Sequence, residues 1–134
     1  MRRHEMRENA FIFLFETFFH PDQTLEDLFA VAELCEEPQF NQAVQQTVAG
    51  TMQHREEIDR VISKYLTKWT LPRLPKVVWA ILRLAVYEIL YEERVDAPVA
   101  INEAVELAKT YAFQEDAAFV NGLLGSFVRS LQSS

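Results

Sequence analysis

Arg60, Lys64 and Lys68 recur at i, i+4 and i+8, a spacing that lines three cations along one side of a helix. Tyr65 and Trp69 each follow one of the last two, so an aromatic edge borders the positive stripe. Cations neutralise phosphates and aromatic faces stack on unpaired bases, the combination that single-stranded RNA binding uses. The same residues also fit a solvated helix face with Tyr65 and Trp69 turned into a core. A second basic cluster lies at Arg2, Arg3 and Arg7, beside His4. Arg3 and Arg7 stand one helical turn apart, and the unpaired N–H groups of a helix start add to their attraction for an anion. Glu5 and Glu8 dilute that charge, and an ordinary charged cap is the competing reading.

Other chemistries have less to work with. His4, His20 and His54 fall in separate segments without metal-ligand spacing, so no metal is expected. No glycine-rich phosphate loop, GxSxG elbow or Cys/His pair is present, and neither catalysis nor a cofactor is expected. Glu103 and Glu106 share a helical segment, but no further catalytic group accompanies them, and a solvated face explains both. The single cysteine, Cys35, sits in the apolar pattern LFAVAELC, which suits a core filler in a reducing cytosol.

The elements that must position these residues read as helices. Among 134 residues only three are glycine, too few for the many tight turns of an all-β domain. We expect an all-α chain of about seven helices in two packed bundles. Phe11, Leu14, Phe15 and Phe18 make one apolar face of a first helix over about 3–19, which His20-Pro21-Asp22 stops. Thr24 with Asp27 three residues on marks the next N-cap, with Leu25, Leu28, Phe29 and Ala32 inward. Pro38 opens a segment carrying Phe40, Ala43, Val44, Thr47 and Val48, and Gly50 is placed to interrupt it before Ile58, Val61, Ile62, Tyr65 and Leu66. Pro72 and Pro75 break the chain, which puts an N-terminal subdomain at 1–70 and a C-terminal one at 71–134. Residues 77–91 are very apolar but short for a bilayer and contain Arg83 and Glu88, so we expect a buried helix and no membrane association. Two further helices follow, at about 98–111 and 116–131. The N-terminus lacks a signal-peptide pattern, consistent with a cytoplasmic protein.

A net charge of −7, taken alone, disfavours nucleic acid, yet the charge is unevenly spread. From Glu16 to Glu37 there are seven acids and no base, whereas from Arg60 to Arg83 there are six bases and no acid. Acidic overall and basic in one region is compatible with local phosphate binding.

The succession ILRLAVYEIL (81–90), APVAINEAVELAK (97–109) and FVNGLL (119–124), after the arginine-rich opening RRHEMRENA (2–10), resembles the NusB family of transcription antitermination factors. That resemblance implies an all-helical RNA-binding protein without catalysis, acting with the ribosomal protein NusE on the boxA element of nascent RNA and supporting ribosomal RNA transcription. By match, Arg2, Arg3, Arg7, Tyr65, Tyr111 and Phe119 are the expected RNA contacts, joined by Lys64 and Lys68 from the basic stripe. The resemblance also implies that NusE docks near the apolar helix, where Val78, Trp79 and Leu82 are the expected partner-binding residues. Asn102 and Asn121 are expected to tie helix ends and turns together, with Glu103 and Glu106 pairing with Arg83 or nearby backbone. The alternative is a protein-interaction module, or a homodimer covering Phe13 and Phe19, without RNA affinity of its own.

Overall fold

The computed structural model describes residues 2–35 and 41–132. Among them the ordered elements are seven α-helices and one 3-10 turn, as expected of an all-α chain: α1 Arg3–Thr17, α2 Leu25–Leu34, α3 Gln42–Gln53, α4 Arg55–Lys64, the 3-10 turn Leu71–Arg73, α5 Lys76–Tyr91, α6 Ala97–Tyr111 and α7 Gln114–Gln132. They form two compact units, Met1–Gln53 and His54–Ser134. The sequence-based boundary near residue 71 differs from this division because α4 packs against α5 and the 3-10 turn.

In the first unit, α1 buries Arg7, Ala10, Phe11 and Leu14 and packs on α3, whose buried residues are Val44, Val48 and Thr51. Both sets keep the i, i+3/i+4, i+7 spacing that gives a helix one apolar stripe. The Thr51 hydroxyl, wholly buried, donates to the carbonyl of Thr47 at 2.8 Å, so its burial leaves no polar atom unsatisfied. Thr24 and Asp27 close a reciprocal capping box at the start of α2, and Asn41 caps α3 by accepting from the Val44 amide at 2.8 Å. Helix α3 runs through Gly50 to Gln53, and the chain breaks at His54 instead. The expected segment start at Pro38 and the inward Phe40 lie outside the described residues.

The second unit is built around α5. Eight of its residues in the run 80–88 are buried, on every side of the helix, including Ala80, Ile81, Leu82, Leu84 and Val86. A helix apolar all round must be surrounded, and α4, α6 and α7 supply the neighbours. Helix α6 turns Ala100, Ala104, Leu107 and Ala108 inward, and α7 answers with Ala117, Val120, Leu123, Leu124 and Phe127. The alanines let the two backbones approach closely, which makes α6–α7 the most extensive helix pair of the unit. Removing one such side chain, as in Leu124→Ala, should cost about 2–5 kcal/mol.

Candidate nucleic-acid interface

The acid-free stretch begins on α4 but does not stay helical. Helix α4 ends at Lys64, where the amides of Tyr65 and Leu66 turn back to the carbonyls of Ile62 and Ser63 at 3.1 and 3.2 Å. Arg60 and Lys64 therefore share a helix face, whereas Lys68 and Trp69 stand beyond its end in irregular chain. The expected three-cation helical stripe is thus corrected to two helical cations and one on the connection. Lys64, Lys68 and Arg73 are all exposed, and Trp69 is 54% exposed. The Lys64 ammonium lies 5.8 Å from the Tyr65 ring centroid, within cation–π range.

Tyr65 is tied down at both ends. Its ring meets Phe127 edge-on at 6.1 Å, and its hydroxyl donates to Ser130 Oγ at 2.7 Å. Ser130 in turn donates to the Phe127 carbonyl at 2.7 Å. The relay fixes the end of α4 on α7, so the cation beside it projects from an anchored base.

A second aromatic group surrounds the α6–α7 junction. Tyr111 ends α6 and is 40% exposed, Phe119 is half-buried on α7, and Phe113 between the helices is 75% exposed. The Phe113 amide donates to Asp116 Oδ2 at 3.0 Å, while the amides of Asp116 and Ala117 donate to its carbonyl. A backbone held on both sides presents an exposed ring at little conformational cost. Sequence reasoning passed over Phe113 because it belongs to no apolar stripe; an aromatic off every stripe, between two helices, was the available signal.

The arginine arm sits on the first unit. Arg2 and Arg3 are exposed at the start of α1. Arg7 is only 9% exposed and shares the buried face of Ala10, Phe11 and Leu14, so the arm presents two arginines and not three.

Of the three residues expected to meet a partner, Val78 and Leu82 are wholly buried, and only Trp79 reaches the surface. Trp79 is itself engaged: its indole N–H donates to Asp59 Oδ1 at 2.9 Å and the Arg83 guanidinium lies 4.7 Å from its ring. Asn102 and Asn121 are exposed in mid-helix, not at the ends or turns they were expected to tie. Among the described residues no cluster of three His, Cys, Asp or Glu is placed to hold a metal ion, and no helix is long and apolar enough to cross a membrane.

The NusB family model matches residues 4–129. The chain belongs to the NusB family. It is 42% identical over 127 residues to the transcription antitermination protein NusB of Lysinibacillus sphaericus, covering 95% of this chain and 97% of that protein. The Clostridium novyi protein of the same name is 38% identical over 133 residues, covering 97% of this chain and all of that one. In structure the chain is similar to NusB of T. maritima, with a TM-score of 0.84 and 33% identity across 96% of this chain and 92% of that one. It is also similar to a chain of the crystal structure of antitermination factors NusB and NusE in complex with double-stranded RNA, with a TM-score of 0.78, 27% identity and coverage of 97% and 99%. The INEAVELAK segment lies within α6 and FVNG within α7, the most extensive helix pair of the second unit.

Proposed function

We propose that this chain is a cytoplasmic, non-catalytic RNA-binding factor of transcription antitermination that takes a boxA-like single strand together with NusE and supports ribosomal RNA transcription. The observation that carries the reading is the end-to-end likeness to NusB antitermination proteins, including a structural neighbour crystallised with NusE and RNA. The local chemistry agrees with it. Lys64 and Lys68 offer phosphate contacts in a stretch without acids, Arg2 and Arg3 offer more, and Tyr65, Tyr111 and Phe119 supply faces for unpaired bases. Arg7, largely buried, has its place beneath the arm, and Trp79 is the surface point of the partner helix.

The test is a titration of labelled boxA RNA with the protein, with and without NusE. Binding that tightens with NusE and weakens with salt is the expected outcome. No binding in either arm would leave a protein-interaction module as the function of the chain.

A further inference from the structure

The first unit carries a groove that the RNA reading leaves unused. Its volume is about 500 Å³, within the roughly 300–1,000 Å³ range of cavities that accept ligands or a partner's side chains. One wall is the α1 face Ile12, Phe13 and Glu16, continued by His20; the other is Leu28 and Val31 of α2. The i, i+3/i+4 spacing puts each wall's residues on one side of its helix, and the α1 residues are not the ones that helix buries. Val44 of α3 and Ala32 of α2 also line the groove. Apolar surface here stays open to solvent: Ile12 is 40% and Val31 is 56% exposed. Between Arg7 and Arg55 the sequence has seven acids from Glu16 to Glu37 and no lysine or arginine, and His20 of the lining lies 3.7 Å from Glu16 Oε2. Glu16 stands on the rim, and Asp27 lies one turn before Val31 on the same side of α2, exposed.

We propose that this groove docks an amphipathic helix of a protein partner, its apolar side chains between Ile12 and Val31 and its lysines or arginines against the Glu16–Asp27 rim. Apolar residues at i, i+3 and i+4 of the partner match the facing helical walls, the mode by which an amphipathic helix occupies a groove. The charge determines the partner's sign. A polyanion or an acidic helix meets mainly like charge here, whereas a basic helix gains steering and register from the carboxylates.

The experiment uses the full chain and a fluorescent peptide of about 16 residues, with leucines on one helical face and lysines on the other. Comparison peptides carry glutamate for lysine, or the same composition with the leucines scattered. We expect the facial lysine peptide to bind, and both comparison peptides to bind at least about tenfold more weakly. Val31→Glu puts a carboxylate in the apolar wall while keeping the rim acidic, and should weaken binding by roughly tenfold or more. Val99→Glu on α6 adds the same charge elsewhere and should change it less than about twofold. Thermal melts establish that both variants are folded. Equal binding of the facial and scattered peptides, or equal loss in the two variants, would overturn the proposal in favour of unspecific charge attraction. A chain that sediments as a dimer, made monomeric by Val31→Glu, would overturn it in favour of a second copy.

Discussion

Arg83 and Asp59 meet through two hydrogen bonds, from Nε to Oδ1 at 3.0 Å and from a terminal nitrogen to Oδ2 at 2.7 Å, which joins α5 to α4. The Trp79 indole donates to the same Oδ1, so one carboxylate gathers three donors from α5. Only 9% of the Arg83 side chain is exposed, against 20% of that of Asp59. Taking the carboxylate away removes two charge-assisted bonds from a largely desolvated cation, whereas the intact pair adds little beyond covering its own desolvation. Asp59→Ala should therefore destabilise the protein by roughly 3 kcal/mol, read from urea unfolding. A loss below about 1 kcal/mol would show that water reaches Arg83 and replaces the carboxylate.

Asn102→Ala should go the other way. Asn102 is exposed within α6, where alanine is the better helix former by several tenths of a kcal/mol. We expect an unchanged or slightly higher melting temperature. A clear drop would reveal a structural bond that the exposed position gives no reason to expect.

What the sequence made legible was whatever repeats with a helical period. The α1 stripe named Phe11 and Leu14 among the buried residues while Phe15 and Phe18 stay half-buried, and the Thr24–Asp27 capping box was visible from its spacing. What it hid depended on contacts between distant segments. Nothing near Asp59 announces a guanidinium 24 residues on, and nothing near Tyr65 announces Ser130. The end of α4 at Lys64 was also hidden, because the basic period continues to Lys68 while the backbone does not. Burial of Arg7 escaped for the opposite reason: an arginine beside other arginines reads as surface, yet its position places it on the stripe of Phe11 and Leu14.

Phe113→Ala should weaken binding of the boxA-like strand by about 1–3 kcal/mol if the ring stacks on a base, with no loss of stability, since the ring is 75% exposed. Filter binding beside thermal melting separates the two. Undiminished affinity would show that Phe113 makes no contact with the strand and leave Tyr111 and Phe119 as the candidate aromatics of that region.

Arg3→Ala should act on charge and not on stacking. The slope of log affinity against log salt should fall by roughly 0.7 for each phosphate of a single strand that is no longer neutralised. Phe119→Ala, by contrast, should lower affinity at every salt concentration and leave the slope alone. If Arg3→Ala keeps the wild-type slope, the arginine arm is not touching phosphate.

Tyr91 offers a handle in alkaline solution. Its hydroxyl donates to Glu57 Oε2 at 2.6 Å, and that bond, followed by burial and the Glu57 charge, raises its pKa above the ordinary tyrosine value of 10.0. A raised folded-state value means the hydrogen bond stabilises fully below the unfolded-state pKa and ceases to do so as pH climbs through the folded one. The stability gap between wild type and Tyr91→Phe should accordingly be smaller at about pH 11 than at about pH 8, with the narrowing confined to pH above the unfolded-state value of 10.0. The same gap at both ends would contradict the role given to this hydroxyl.

The Tyr65–Ser130 bond spans 65 positions of chain. During synthesis at about 5–20 residues per second, Tyr65 leaves the ribosome's catalytic centre several seconds before Ser130 has been made. Until then the tyrosine has no anchor on α7, and neither does the lysine beside it. A nascent chain therefore carries its cations well before it can hold them in place, and the cationic end of α4 matures only once the last helix has been translated.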